Sequence, residues 1–279
     1  MRVLLLLSLA VLFTACASGD DDYAGEMREQ HDGETPDPSG ATADAARLDV
    51  VTEEVEYATV GGETVTGTLV RPASATGPLP GVIVIHEWWG LNDNVRDMAR
   101  RIANEGYAAL AVDLYGGEVA DTPDGAMALM QTAMGQEDAL TDNLRQAHEY
   151  LAGREQAPAV GSVGWCFGGM WSLRAALALP AELDAAVIFY GQPITDPARL
   201  ASLQMPVLAL FGEADGSISM DSVRAFESAM SEAGVDGEVI SYEGAEHAFA
   251  NPSGQRYDAA AAEDAWGRTT AFLSENLKQ

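Results

Sequence analysis

Between residues 159 and 179 an apolar, strand-like run passes directly through Gly164-Trp165-Cys166-Phe167-Gly168-Gly169 into a helical pattern. This stretch constrains the chain more than any other. Its order is strand, sharp turn, helix, with a cysteine at the apex, and glycines two positions either side of Cys166 let the backbone fold tightly enough to lift the sulfur above the strand end. The first N–H groups and the positive dipole end of the following helix aim at that sulfur and favour thiolate. The backbone N–H of Phe167 is left free for a developing oxyanion. Taken alone, the same residues also read as a buried structural cysteine beside a glycine-rich turn.

The rest of the chain supplies the fold. Val50–Thr59 and Thr64–Arg71 alternate across Gly61-Gly62 as an antiparallel hairpin. Val82–Ile85 is a short β-branched run of the kind buried on both faces of a parallel sheet, and Tyr107–Tyr115 is another. Further strands are predicted at Ala185–Tyr190, Pro206–Phe211 and Glu238–Tyr242. Helical patterns fall around Val95–Ile102, Ala126–Met134, Glu137–Leu151, Asp221–Ala233 and Ala259–Leu277. Strands alternating with helices give an α/β fold: a mostly parallel, doubly wound sheet with helices on both faces and an N-terminal antiparallel hairpin.

The first residues form a separate unit. Arg2, the apolar run Val3–Phe13 and Thr14-Ala15-Cys16 read as a secretory signal (1–15), too short to span a bilayer. A cysteine at that place reads as the lipidated first residue of a mature lipoprotein, which predicts an exported protein held at a membrane by its lipid alone. Residues 16–46, rich in Asp, Glu, Gly, Ser, Thr, Pro and Ala, read as a flexible acidic tether, with His31 a solvated bystander. The folded domain is expected over 47–279. With Cys16 lipidated, Cys166 is the only other cysteine, and an unpaired thiol in an exported protein points to a reactive role.

Charge excludes some partners. The chain has 43 acidic and 15 basic residues, a net charge of −28, and Lys278 is its only lysine. Such a surface repels nucleic acid and anionic membranes and suits screening by high salt, which thermal unfolding against salt concentration tests. A monomer is the favoured state.

In an open α/β sheet functional groups gather at the carboxyl ends of the strands. Cys166, Asp215, His247 and Glu87 all follow predicted strands, the first three in the order nucleophile, acid, histidine. His247 would carry the Cys166 proton and later activate water, while Asp215 orients the ring, with Glu213 as the competing acid. Trp88 and Phe167 would supply the oxyanion-hole N–H pair. Trp89, Tyr115, Tyr190 and Phe249 are candidates for an apolar pocket, although Trp88 and Trp89 also read as core aromatics. His86-Glu87 invites a zinc-protease reading, but H-E-x-x-H needs a histidine where Gly90 stands, so no metal is assigned.

From about Val50 onward the sequence resembles the dienelactone hydrolases. The resemblance rests on Ile85-His86-Glu87-Trp88-Trp89-Gly90, Val112-Asp113-Leu114-Tyr115, Gly164-Trp165-Cys166-Phe167-Gly168-Gly169, Phe189-Tyr190-Gly191 and Gly244-Ala245-Glu246-His247-Ala248-Phe249. It implies a Cys166-His247-Asp215 triad, no cofactor, and a glutamate, Glu87, that pairs with the cysteine and helps to generate the thiolate. Members acting on anionic dienelactone use an arginine four residues after the catalytic histidine, and here that position is Asn251. The loop after Tyr115 begins Gly116-Gly117 and offers no arginine either. The resemblance therefore implies cleavage of a neutral small ester or lactone through a cysteine acyl-thioester. Other acyl substrates such as thioesters or acylated peptides, or ligand binding without turnover by an envelope lipoprotein, are the alternative readings.

Overall fold

The apolar runs of the sequence pair edge to edge in one sheet. A computed structural model of the chain describes residues 20–36 and 49–278. Its strands are β1 (Val50–Val60), β2 (Glu63–Pro72), β3 (Gly81–Ile85), β4 (Ala108–Val112), β5 (Val160–Trp165), β6 (Ala185–Phe189), β7 (Val207–Gly212) and β8 (Gly237–Tyr242). They lie in the order β1-β2-β4-β3-β5-β6-β7-β8. β3 to β8 are parallel, while β1 and β2 form the expected edge hairpin and β2 joins β4 antiparallel. Every residue of β3 to β7 is buried, as the absence of polar alternation in those strands requires.

The helices are α1 (Asp20–Gln30), α2 (Asp93–Asn104), α3 (Pro123–Met134), α4 (Glu137–Glu149), α5 (Phe167–Ala178), α6 (Pro197–Leu200), α7 (Met220–Ala233) and α8 (Ala259–Leu277). Sequence-encoded caps set several of their starts. Asn92, Thr122, Ser219 and Asp258 each accept a hydrogen bond from a first-turn N–H of the helix that follows. None of these helices is long and apolar enough to cross a membrane among the described residues.

The tether expected over 16–46 is corrected for part of its length. Residues 20–30 are helical, and Tyr23, Met27 and His31 are buried against the main domain. Three large side chains spaced four apart give an otherwise polar stretch one face to bury. Cys16, the rest of the signal and residues 37–46 lie outside the described residues.

The strand order also places the site. The chain leaves β3 toward β4 on one side and later returns to β5 on the other, so a crevice opens at the carboxyl ends of β3 and β5. Ile85 pairs with Gly164 and Trp165 with Phe189, which sets residues 86–88, Cys166 and Tyr190 side by side at one level.

Candidate active site

The cysteine sits at a strained apex. Cys166 has φ 57° and ψ −118°, a left-handed conformation that costs a non-glycine residue on the order of 1–3 kcal/mol. Its own N–H donates to the Phe189 carbonyl at 3.0 Å and holds the turn in place. The neighbouring glycines serve close approach rather than unusual dihedrals. A Cβ on Gly164 would lie under 3.0 Å from the Gly168 carbonyl oxygen, and one on Gly168 equally close to the Ile85 carbonyl. The strain is therefore carried by the cysteine itself, and the glycines let α5 start directly on top of β3 and β5.

Two loops bring the acid and the histidine together. The Ala214 N–H donates to the Ala245 carbonyl at 2.9 Å, which ties the turn after β7 to the turn after β8. Across this tie His247 Nδ1 meets Asp215 Oδ2 at 2.7 Å, with both side chains fully buried. Asp215 Oδ1 accepts the Ser217 and Ile218 N–H groups at 2.8 and 2.9 Å. Burial alone would raise the pKa of Asp215, but His247 and these two N–H donors hold it below the ordinary value. Burial likewise opposes the imidazolium, yet the negative charges of Asp215 and Cys166 outweigh it and raise His247 to about 10. His247 Nε2 is buried without a partner in ordinary hydrogen-bond geometry, at the end of the ring opposite Asp215. Glu213, the competing acid, instead accepts from Ser241 Oγ at 2.8 Å on the exposed side.

Phe167 opens α5, where a backbone N–H has no intrahelical acceptor. Trp88 follows β3 by three residues, and its N–H reaches no backbone carbonyl of the described residues. Its indole is buried and packs on Trp89 with ring centroids 4.9 Å apart. His86 is committed to structure. Its Nδ1 donates to the Glu87 carbonyl at 2.6 Å, and its Nε2 accepts the Leu114 N–H at 3.1 Å.

Glu87 is buried, but its partners differ from those the resemblance implied. Oε1 accepts from the Tyr190 hydroxyl at 3.4 Å and Oε2 from the Asn251 amide, so neither oxygen is on the thiol. Burial pushes its pKa up to about 7, against the lowering effect of His247, Asn251 and Tyr190. Asn251 thus grips a carboxylate of the protein, and its own Oδ1 accepts from Ser253 N–H and Oγ at 2.8 and 2.6 Å. Tyr115 meets the His86 ring edge to face and the Phe167 ring at a tilt, and its buried hydroxyl has no hydrogen-bond partner among the described residues. Phe249 is fully buried behind Tyr190, at 5.3 Å between ring centroids, so it backs the site rather than lining an open cavity.

Sequence reasoning missed three residues here. His31, expected in solvent, is buried with its ring 4.6 Å from Trp88 and 5.9 Å from His247. Burial lowers its pKa to about 4. Tyr23 is buried with its hydroxyl at the site, where burial first, and then the charges of Cys166 and Asp215, push the phenol well above its ordinary value. Arg256 Nε donates to the His247 carbonyl at 3.0 Å and Nη1 to the Gln30 carbonyl at 2.6 Å. The four-residue spacing of Tyr23, Met27 and His31 was the available signal for this segment.

Comparison with known proteins shows the family to which the chain belongs. The sequence model of the dienelactone hydrolase family matches residues 65–277. Protein usf of Aquifex pyrophilus is 37% identical over 210 residues, covering 71% of this chain and 89% of that protein. A protein of Aquifex aeolicus with the provisional name carboxymethylenebutenolidase is 32% identical over 206 residues, covering 71% of this chain and 89% of its own. Among solved structures, a dienelactone hydrolase-like promiscuous phosphotriesterase from metagenomic libraries superposes with a TM-score of 0.74 at 27% identity, covering 82% of this chain and 99% of that one.

Proposed function

Because this chain belongs to the dienelactone hydrolase family and is a carboxylic ester hydrolase, we propose that it cleaves small neutral esters or lactones through an acyl-thioester on Cys166. The observation that carries the reading is the buried His247–Asp215 pair at 2.7 Å, at the same sheet end as a cysteine held in a strained turn at the head of a helix. In the first half-reaction the Cys166 thiolate attacks the acyl carbon. The oxyanion that forms is held by the Trp88 and Phe167 N–H groups. Its collapse expels the alkoxide, which takes the proton from the His247 imidazolium. In the second, neutral His247 removes a proton from water, and the hydroxide attacks the thioester. Collapse of that intermediate returns the acid product, the thiolate and the imidazolium.

Glu87 joins this cycle only by exchanging Tyr190 and Asn251 for the thiol. A neutral substrate is favoured because Asn251 stands where the anion-binding arginine would be, with a buried carboxylate beside it. We also propose export, with Cys16 as the lipidated residue; the mass of the mature N-terminus tests this.

The chemistry is tested by intact-mass measurement after brief mixing with a p-nitrophenyl ester, beside Cys166→Ala. The expected result is an acyl adduct on Cys166, released nitrophenol, and neither in the variant. Undiminished turnover by a folded Cys166→Ala protein would overturn the thioester route.

A further inference from the structure

Residues 20–36 precede the stretch that the family model matches, yet they are seated on the catalytic groups. α1 and the turn after it present Tyr23, Met27 and His31, each at most 3% exposed, to the domain. The Tyr23 hydroxyl is buried without an ordinary hydrogen-bond partner and lies close enough to Cys166 and Asp215 to feel their charge. His31 caps Trp88 and approaches His247 edge-on. The Gln30 side-chain amide fills the space beside Gly216, next to Asp215.

One guanidinium clamps the end of this segment. Besides its bonds to His247 and Gln30, Arg256 Nη2 lies 2.7 Å from His31 Nδ1 and 3.3 Å from Glu34 Oε1. At the outer rim Arg28 pairs with Asp124 at 2.8 Å. Under this cover Cys166 is 1% exposed and His247 not at all. Two clefts of about 450 and 430 Å³ open elsewhere on the described surface, but neither is lined by Cys166, Asp215 or His247. With the segment seated, neither an ester nor the water of deacylation reaches the sulfur.

We propose that residues 20–36 are a self-inhibitory strap that occupies the substrate site, with Tyr23 standing over Cys166, so that an ester competes with the protein's own N-terminal segment. Substrate then binds only the fraction of molecules whose strap is lifted, and apparent affinity falls in proportion to that fraction. The strap is suited to lift because it is one short helix and its following turn, held by three buried side chains and the contacts of two arginines, Arg256 and Arg28, and such a unit opens without unfolding the sheet. The proposal rests on the hydrolase reading for its consequence, though not for its geometry.

Two variants of the full chain test it. Met27→Asp puts a charge into the strap's buried face, and Glu34→Gln loosens the Arg256 clamp. Two rates are read: alkylation of Cys166 by iodoacetamide, measured on the Cys166 peptide by mass spectrometry, and kcat/KM for p-nitrophenyl acetate. The expected result for Met27→Asp is at least a tenfold rise in both, with a smaller rise for Glu34→Gln and unchanged far-UV circular dichroism. Unchanged alkylation in both variants would remove the strap while leaving the hydrolase reading intact. Faster alkylation with slower turnover would make the segment part of the working site and overturn the inhibitory role. Faster alkylation with no turnover by any form would uphold the strap and sink the hydrolase reading instead.

Discussion

Asp215→Asn removes the charge that holds His247 as an imidazolium. Raising the ring pKa from 6.5 to about 10 corresponds to roughly 5 kcal/mol in favour of the charged form, at about 1.4 kcal/mol per pH unit. Asp215 comes ahead of Cys166 among the charges that raise it, and it also accepts the Nδ1 hydrogen bond. Without it, burial dominates and the ring is expected to titrate at least two pH units lower. Histidine 15N chemical shifts followed from pH 5 to 11 read this directly, because both ring nitrogens move on protonation. The stability consequence has a definite sign. A histidine whose folded pKa is raised contributes stability that is fully present below pH 6.5 and lost as pH rises toward 10. The melting temperature of Asp215→Asn should therefore fall furthest below wild type near pH 6 and converge on it near pH 10.5. The amide also disturbs the ring orientation, and kcat should drop by about 10⁴, the size seen when a triad acid is neutralised. A wild-type His247 that titrates near 6.5, or a variant with the same titration curve, would refute the electrostatic argument.

Glu87→Gln tests burial of a carboxylate. The folded-state pKa of about 7 means that ionising Glu87 destabilises the fold as pH rises from 4.5 through 7, so the variant should gain up to roughly 3 kcal/mol on wild type at pH 8 and nothing at pH 4.5. Urea unfolding at the two pH values measures this, and an equal difference at both would count against it. Gly168→Ala forces a Cβ into the Ile85 and His86 carbonyl oxygens and should cost about 3 kcal/mol or more, since backbone atoms, unlike the end of a flexible side chain, cannot swing aside. A melting temperature within a degree of wild type would show that the elbow is not as closely packed as described.

The alternation of strand and helix, the hairpin across Gly61-Gly62 and the cysteine turn were legible in the sequence because each depends on local chemistry. Period-two and period-3.6 patterns, turn glycines and cap residues act within a few positions of themselves. The gathering of Cys166, Asp215 and His247 at one end of the sheet was legible too, since parallel strands deliver every following loop to the same end. The partners of those groups were not. Glu87 bonds Asn251, 164 positions away, and Arg256 reaches back 226 positions to Gln30. Which carboxylate oxygen meets which amide is set by how the loops pack, and no local pattern carries it. Residues 20–36 make the point most plainly. Composition alone marks them as a solvated tether, because most of their residues have nothing to gain from burial. Tertiary structure decides otherwise, because Tyr23, Met27 and His31 share one face and the crevice beneath supplies the apolar and charged surface that this face needs.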